Sequence, residues 1–322
     1  MVSAIRIFLA SLLAWYLLCL FVPPGQGTLV SDVSFPAGSG IRRLATELKG
    51  RGVIRSSWHF IILTRLRGDA HRLKAGEYRF NDGMTPDTIL GKIVAGDVDF
   101  RKFALPEGYS IYQVAELLGQ KGYVNRDTFL EKCRDRALLS RLEIRGESVE
   151  GYLYPATYNI ARNSSEEQLI EQMVGQFRKV WGERETMDGA GTLSRQEIVT
   201  LASIIEKEAV IPDERPRIAS VFLNRLKVGM PLQSDPTAVY GLRAFGGKVT
   251  RADVLRKSPY NTYTIKGLPP GPIGNPGIDA IRAVLKPEKT DFFYFVARQN
   301  GSHYFSRSLA EHNRAVNTYL KN

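Results

Sequence analysis

Residues 201–209, LASIIEKEA, set two glutamates among aliphatic side chains. Leu201, Ile204, Ile205 and Glu208 fall at i, i+3, i+4 and i+7, so one helical face carries three apolar side chains and a carboxylate, with Ile198 at its edge. A carboxylate held against apolar surface loses hydration in its charged form, which raises its pKa towards the range where it donates a proton near neutral pH. General acid chemistry is the inference. Glu206 lies on an adjoining, more mixed face with Val199, Ala202 and Ser203, and Lys207 faces water. The pattern favours Glu208 over Glu206 as the acid. The alternative is that Glu208 sits at the rim of the buried face, where it turns outward or pairs with an arginine.

Ser194 with Glu197 three residues on forms a capping box, so the helix starts near Arg195, and Pro212 and Pro216 stop it. A second amphipathic helix follows over 218–228, with Val221, Phe222 and Leu226 inward and Gly229 closing it. The loop PLQSDPTAVYG then offers Gln233, Ser234 and Asp235 in a row. Residues 258–277, SPYNTYTIKGLPPGPIGNPG, are too rich in Pro and Gly for regular structure. Such a stiff loop can hold Tyr260, Asn261 and Tyr263 still against a ligand, or merely connect. Upstream, EGYLYPATY (150–158) gathers aromatics next to Glu150, as core or as a sugar-stacking platform.

With 322 residues, 43% of them hydrophobic and 24% charged, the chain has globular composition and length for two domains. Its net charge of +11 is spread along the sequence. That suits an extended anionic polymer or a membrane surface better than nucleic acid. Cys19 and Cys133 give no disulfide framework, and His59, His71, His303 and His312 show no ligand spacing, so no metal is expected.

Residues 7–22, IFLASLLAWYLLCLFV, form an unbroken apolar run of 16 residues behind Arg6. It is short for a span but workable if Arg6 snorkels, and no cleavage site for a signal peptide follows closely. An uncleaved anchor over 1–24 is expected, with the N-terminus cytoplasmic because no Lys or Arg follows until Arg42. Next, Pro36, Gly38, Ile41, Ala45, Leu48 and Gly52 recur as Pro106, Gly108, Ile111, Ala115, Leu118 and Gly122, each at an offset of 70. Each copy reads as strand, Pro-x-Gly turn and amphipathic helix, and the copies are expected to pair or to flank a shared module. Between them lie a strand over 73–80, a helix over 84–94 and a strand over 98–105. Beyond 128 the chain is mainly helical, with Leu169, Met173, Phe177 and Val180 facing inward on one helix. It ends in a hairpin around Asn300 and Gly301 and a last helix containing His312. The fold class is α+β.

LASIIEKEA, VFLNRLKVGMPLQSDPTAVYG, SPYNTYTIKGLPPGPIGNPG and SHYFSRSLAEHN, with LKAGEYRF, LPEGYSIYQVAELL and EGYLYPATY before them, together resemble the endolytic murein transglycosylases of the MltG (YceG-like) family. The resemblance runs from about residue 35 to the C-terminus. It implies a transmembrane anchor (1–24), a LysM-like glycan-binding domain (28–101) and a mixed α+β catalytic domain (102–322). It also implies a single-pass inner-membrane protein whose catalytic domain is extracytoplasmic. It carries the catalytic acid onto Glu208, with no cofactor and no metal. The implied reaction cleaves the glycosidic bond between N-acetylmuramic acid and N-acetylglucosamine and leaves 1,6-anhydro ends, terminating nascent strands. Gln233, Ser234, Asp235, Tyr260, Asn261 and Tyr263 are expected to grip substrate, with Glu150 as a secondary contact. Implied partners are peptidoglycan strands and membrane-bound synthases, the penicillin-binding proteins. One departure is Ala156, where the family usually has Asp. The competing expectation is a non-catalytic membrane-tethered scaffold that binds peptidoglycan and recruits synthases.

Overall fold

The computed structural model describes residues 2–36, 38–162, 164–182, 193–242 and 247–320, without the side chains at positions 2–5, 9, 12 and 13. The chain divides into two compact units, 1–102 with 159–164, and 103–158 with 165–322.

In the first unit, Val30–Phe35 pairs antiparallel with Gly76–Asn81, Val33 facing Tyr78. The alternation of both strands buries Val33, Phe35, Tyr78 and Phe80 on one face. Helices Ile41–Gly50, Ser57–Leu66 and Pro86–Ala95 close this core with Leu44, Leu48, Phe60, Ile89, Leu90 and Ile93. The third starts as its sequence dictates: the Thr85 side chain accepts from Thr88 N, Pro86 takes the first turn, and Gly96 at φ 75° ends it. The N-terminal Val2–Phe21 helix also belongs to this unit. Among the described residues no helix is long and apolar enough to cross a membrane. Part of the expected anchor, the side chains at 2–5, 9, 12 and 13, lies outside that description.

Both copies of the repeat fold as strand, turn and helix, the second as Phe100–Ala104 and Ile111–Gln120. The copies do not pair with one another. Val30–Phe35 takes Gly76–Asn81, whereas Phe100–Ala104 takes Thr157–Ala161. A strand joins whichever neighbour continues its buried face, a long-range choice that a repeat does not encode.

In the second unit, the Arg195–Glu208 helix is buried from Ile198 through Ile205 and packs against helices Arg215–Lys227 and Ile278–Leu285. Its capping box is formed: Ser194 Oγ accepts from Glu197 N while the Glu197 carboxylate accepts from Ser194 N at 2.8 Å. Helix Glu166–Gly182 turns Leu169, Met173 and Phe177 into a core that receives Tyr152 edge-on to Phe177, centroids 5.0 Å apart. Tyr152, Leu153 and Tyr158 are buried, so that part of the 150–158 cluster is core and not a stacking platform. The hairpin Tyr294–Ala297/His303–Ser306 and the helix Leu309–Leu320 complete the unit.

Candidate active site

Glu208 is the last residue of its helix, because Ala209 turns extended at ψ 107° before either proline is reached. The carboxyl emerges where the apolar face runs out. It opens onto a cavity of about 350 Å³ lined also by Arg225, Gln233, Asp235, Tyr263, Phe295 and His312. Ser234 Oγ donates to Glu208 Oε1 at 2.5 Å. Burial pushes the Glu208 carboxyl up to about 7; the serine bond and Arg225 oppose this, while the nearby Asp235 adds to it. Glu208 is only partly buried by area, so the cavity reaches the acid that its surroundings desolvate.

Glu206, two residues earlier, is held differently. Arg215 Nη2 lies 2.8 Å from Glu206 Oε1, with side chains 11% and 6% exposed, and Glu206 Oε2 accepts from Gly277 N at 2.9 Å. It is a buried tie between the helix, the next helix and the end of the 258–277 loop.

The loop after residue 230 delivers the polar groups. Gln233 sits at φ 52°, and its N–H donates to Thr262 O at 3.1 Å. Ser234 N donates to Thr262 Oγ1, which also bonds Thr237 Oγ1 at 2.7 Å. A left-handed glutamine costs about 1–2 kcal/mol, so Gln233→Gly is expected to unfold about 1 kcal/mol later than Gln233→Ala by urea titration. Both variants lose the side chain from the cavity and are expected to lose activity alike. Tyr263 OH donates to Asp235 Oδ1 at 2.7 Å, and burial raises the phenol's pKa.

The other sequence-derived residues lie elsewhere. Asn261 is fully buried and its Nδ2 donates to the carbonyls of Asp253, Val254 and Arg256 at 3.2, 3.0 and 2.7 Å, closing the end of the Arg251–Leu255 helix. Tyr260 packs on Tyr240, ring centroids 4.6 Å apart, and burial pushes it up to about 12. Glu150 is 2% exposed. It accepts from Ile111 N at 3.0 and 3.1 Å, Tyr240 OH at 2.8 Å and Asn275 Nδ2 at 3.4 Å. Burial pushes it up to about 7 against those bonds. So Glu208, Gln233, Ser234, Asp235 and Tyr263 come together, Glu150 and Tyr260 meet around Tyr240, and Asn261 is committed to backbone. Ala156 contributes its carbonyl to Leu105 N at 2.9 Å.

Sequence reasoning missed Arg225, Phe295 and His312. Arg225 is 7% exposed; its Nε donates to Phe293 O at 2.7 Å and its Nη1 to Leu232 O at 2.8 Å. Its guanidinium lies over the Tyr294 ring, on which His312 also stacks. Burial, with Arg225 nearby, lowers the His312 pKa and favours the neutral ring. The signals that could have found them were an arginine beside the apolar face of the 218–228 helix and the SHYFSRSLAEHN motif that contains His312. Among the described residues no group of three or more His, Cys, Asp or Glu could hold a metal ion.

The YceG-like family matches residues 33–318. The chain is 33% identical over 305 residues to the endolytic murein transglycosylase of Bacillus subtilis (strain 168), covering 90% of this chain and 84% of that one. It is 30% identical to the protein of the same name from Streptococcus pneumoniae (strain D39 / NCTC 7466), covering 88% of this chain and 57% of that longer one. The crystal structure of a yceG-like protein from Listeria monocytogenes superposes with a TM-score of 0.58 at 35% identity, over 89% of this chain and 99% of that one. The chain belongs to the YceG-like family.

Proposed function

We propose that this chain is a lytic transglycosylase that cuts peptidoglycan strands internally, between N-acetylmuramic acid and N-acetylglucosamine, with Glu208 as its acid. The observation that carries the reading is the Glu208 carboxyl, pushed up to about 7, presented to an open polar cavity and oriented by Ser234. Glu208 protonates the glycosidic oxygen as the bond to the muramoyl anomeric carbon breaks, and the muramoyl acetamido oxygen shares the positive charge. The carboxylate then takes the proton of the same sugar's 6-hydroxyl, which closes on the anomeric carbon to give the 1,6-anhydro end. Glu208 regains its proton and no water is consumed. Gln233, Asp235 and Tyr263, which line the same cavity, would hold the sugar. Mass spectrometry of peptidoglycan digested by the extracytoplasmic part is the test: anhydro-muramoyl ends support the reading. Reducing ends indicate a hydrolase, and intact glycan from folded protein indicates a scaffold.

The acid works only when protonated. kcat/KM is therefore expected to be flat on the acid side of about pH 7 and to fall about tenfold per pH unit above it, read from initial rates on one glycan. The same shift has a stability sign. Between the ordinary carboxyl range and about 7, the folded state holds protons at Glu208 and Glu150 that the unfolded chain has lost, so stability declines as pH rises through that window.

We further propose that residues 1–24 anchor the protein in the inner membrane with the N-terminus cytoplasmic, and that 28–101 is a LysM-like glycan-binding domain. The catalytic domain would then be 102–322, acting beside membrane-bound synthases. The apolar run at 7–22 behind Arg6 supports the anchor, as do the exposed Phe8, Trp15 and Phe21 on its helix. The full chain is expected to resist alkaline carbonate extraction from membranes, and a chain lacking 1–24 to be released.

A further inference from the structure

Asp235 lines two cavities. One holds Glu208; the other, of about 220 Å³, has Lys207, Val239, Tyr240 and Ile273 among its walls. Lys207 adjoins Glu208 on the same helix and is given a path by bare backbone. A Cβ at Gly274 would lie 2.6 Å from Gly108 O and 3.5 Å from Lys207 Cε, and one at Gly108 would lie 3.8 Å from Lys207 Cδ. Two glycines thus cross where the lysine stem runs.

The acids near this amine are engaged elsewhere. Glu206 is taken by Arg215 and Gly277 N, Glu150 by Ile111 N and Tyr240 OH, and Asp235 by Tyr263 OH. Among the described residues the Lys207 ammonium has no hydrogen bond or ion pair. Lys207 is exposed by area, so a ligand can reach its ammonium, while packing around its stem lowers its pKa against the pull of Glu150 and Glu206. An unpaired ammonium over apolar walls, one residue from the acid, is complementary to a carboxylate on a short, partly apolar arm of the same polymer.

We propose that this second cavity binds a carboxylate-bearing peptide arm of the glycan, Lys207 taking the carboxylate and Val239, Tyr240 and Ile273 the apolar part. The inference rests on the peptidoglycan reading and adds to it a preference for peptide-bearing over bare strands.

The test compares wild type, Lys207→Met and Lys207→Arg on intact glycan and on glycan stripped of peptides by an amidase. The ratio of kcat/KM on peptide-bearing to stripped glycan is expected to fall about tenfold in Lys207→Met, through KM, and to recover in Lys207→Arg. An unchanged ratio, whether or not both rates drop, overturns the proposal. Should wild type cleave neither glycan, the transglycosylase reading fails, and equilibrium dialysis with a soluble muramoyl dipeptide decides the cavity alone. Binding weakened about tenfold by Lys207→Met then supports the site, and equal binding overturns it.

Discussion

Glu208→Gln is expected to cut glycan cleavage by about a thousandfold, because it removes the proton donor while keeping the side chain's shape. The amide oxygen can still accept from Ser234 Oγ, so the cavity keeps its geometry. Folding should not suffer: above about pH 7 wild type carries a poorly hydrated carboxylate there, and the neutral amide is expected to gain roughly 1 kcal/mol after allowance for its solvent-reached edge. Activity and urea unfolding on the same preparation check both halves. Retained cleavage would remove Glu208 from the chemistry.

Glu206→Ala is expected to do the reverse. It leaves the Arg215 guanidinium, 11% exposed, without its 2.8 Å partner and leaves Gly277 N without an acceptor. Breaking a buried pair from one side costs about 3–5 kcal/mol; Glu107, 4.0 Å from the same guanidinium, places the expected loss near the lower figure. Thermal unfolding would show a large drop in Tm, while the fraction still folded at low temperature would cut glycan at close to the wild-type rate. Two acids two residues apart would thus separate into one that acts and one that holds.

The acid's own helix was legible because its information is local. The capping box, the apolar spacing and the escape of Glu208 at the end of the buried face are all written within fifteen residues. The hairpin, the terminal helix and the helix expected over 84–94 were legible for the same reason. Partners distant in sequence were not. Nothing near Glu206 announces Arg215 as its buried counter-ion, and nothing near Arg225 announces that three backbone carbonyls, of Pro231, Leu232 and Phe293, will take its guanidinium. Asn261 illustrates the converse: its donors suggested a ligand, yet Nδ2 is shared among three carbonyls within eight residues. The repeat at offset 70 specified two identical local plans but not which strand each copy would join.

The cavity around Glu208 takes its walls from widely spaced segments: Arg225, the 233–235 loop, Tyr263, Phe295 of the hairpin and His312 of the last helix. His303, opposite Ala297 in that hairpin, is tied back to Glu214 by 2.7 and 3.0 Å bonds, just beyond the helix that carries the acid. A chain being made from its N-terminus therefore exposes Glu208 long before its surroundings exist, and in that interval the carboxyl is an ordinary hydrated acid. The surroundings that push its pKa up are complete only after His312 has been delivered and folded into place.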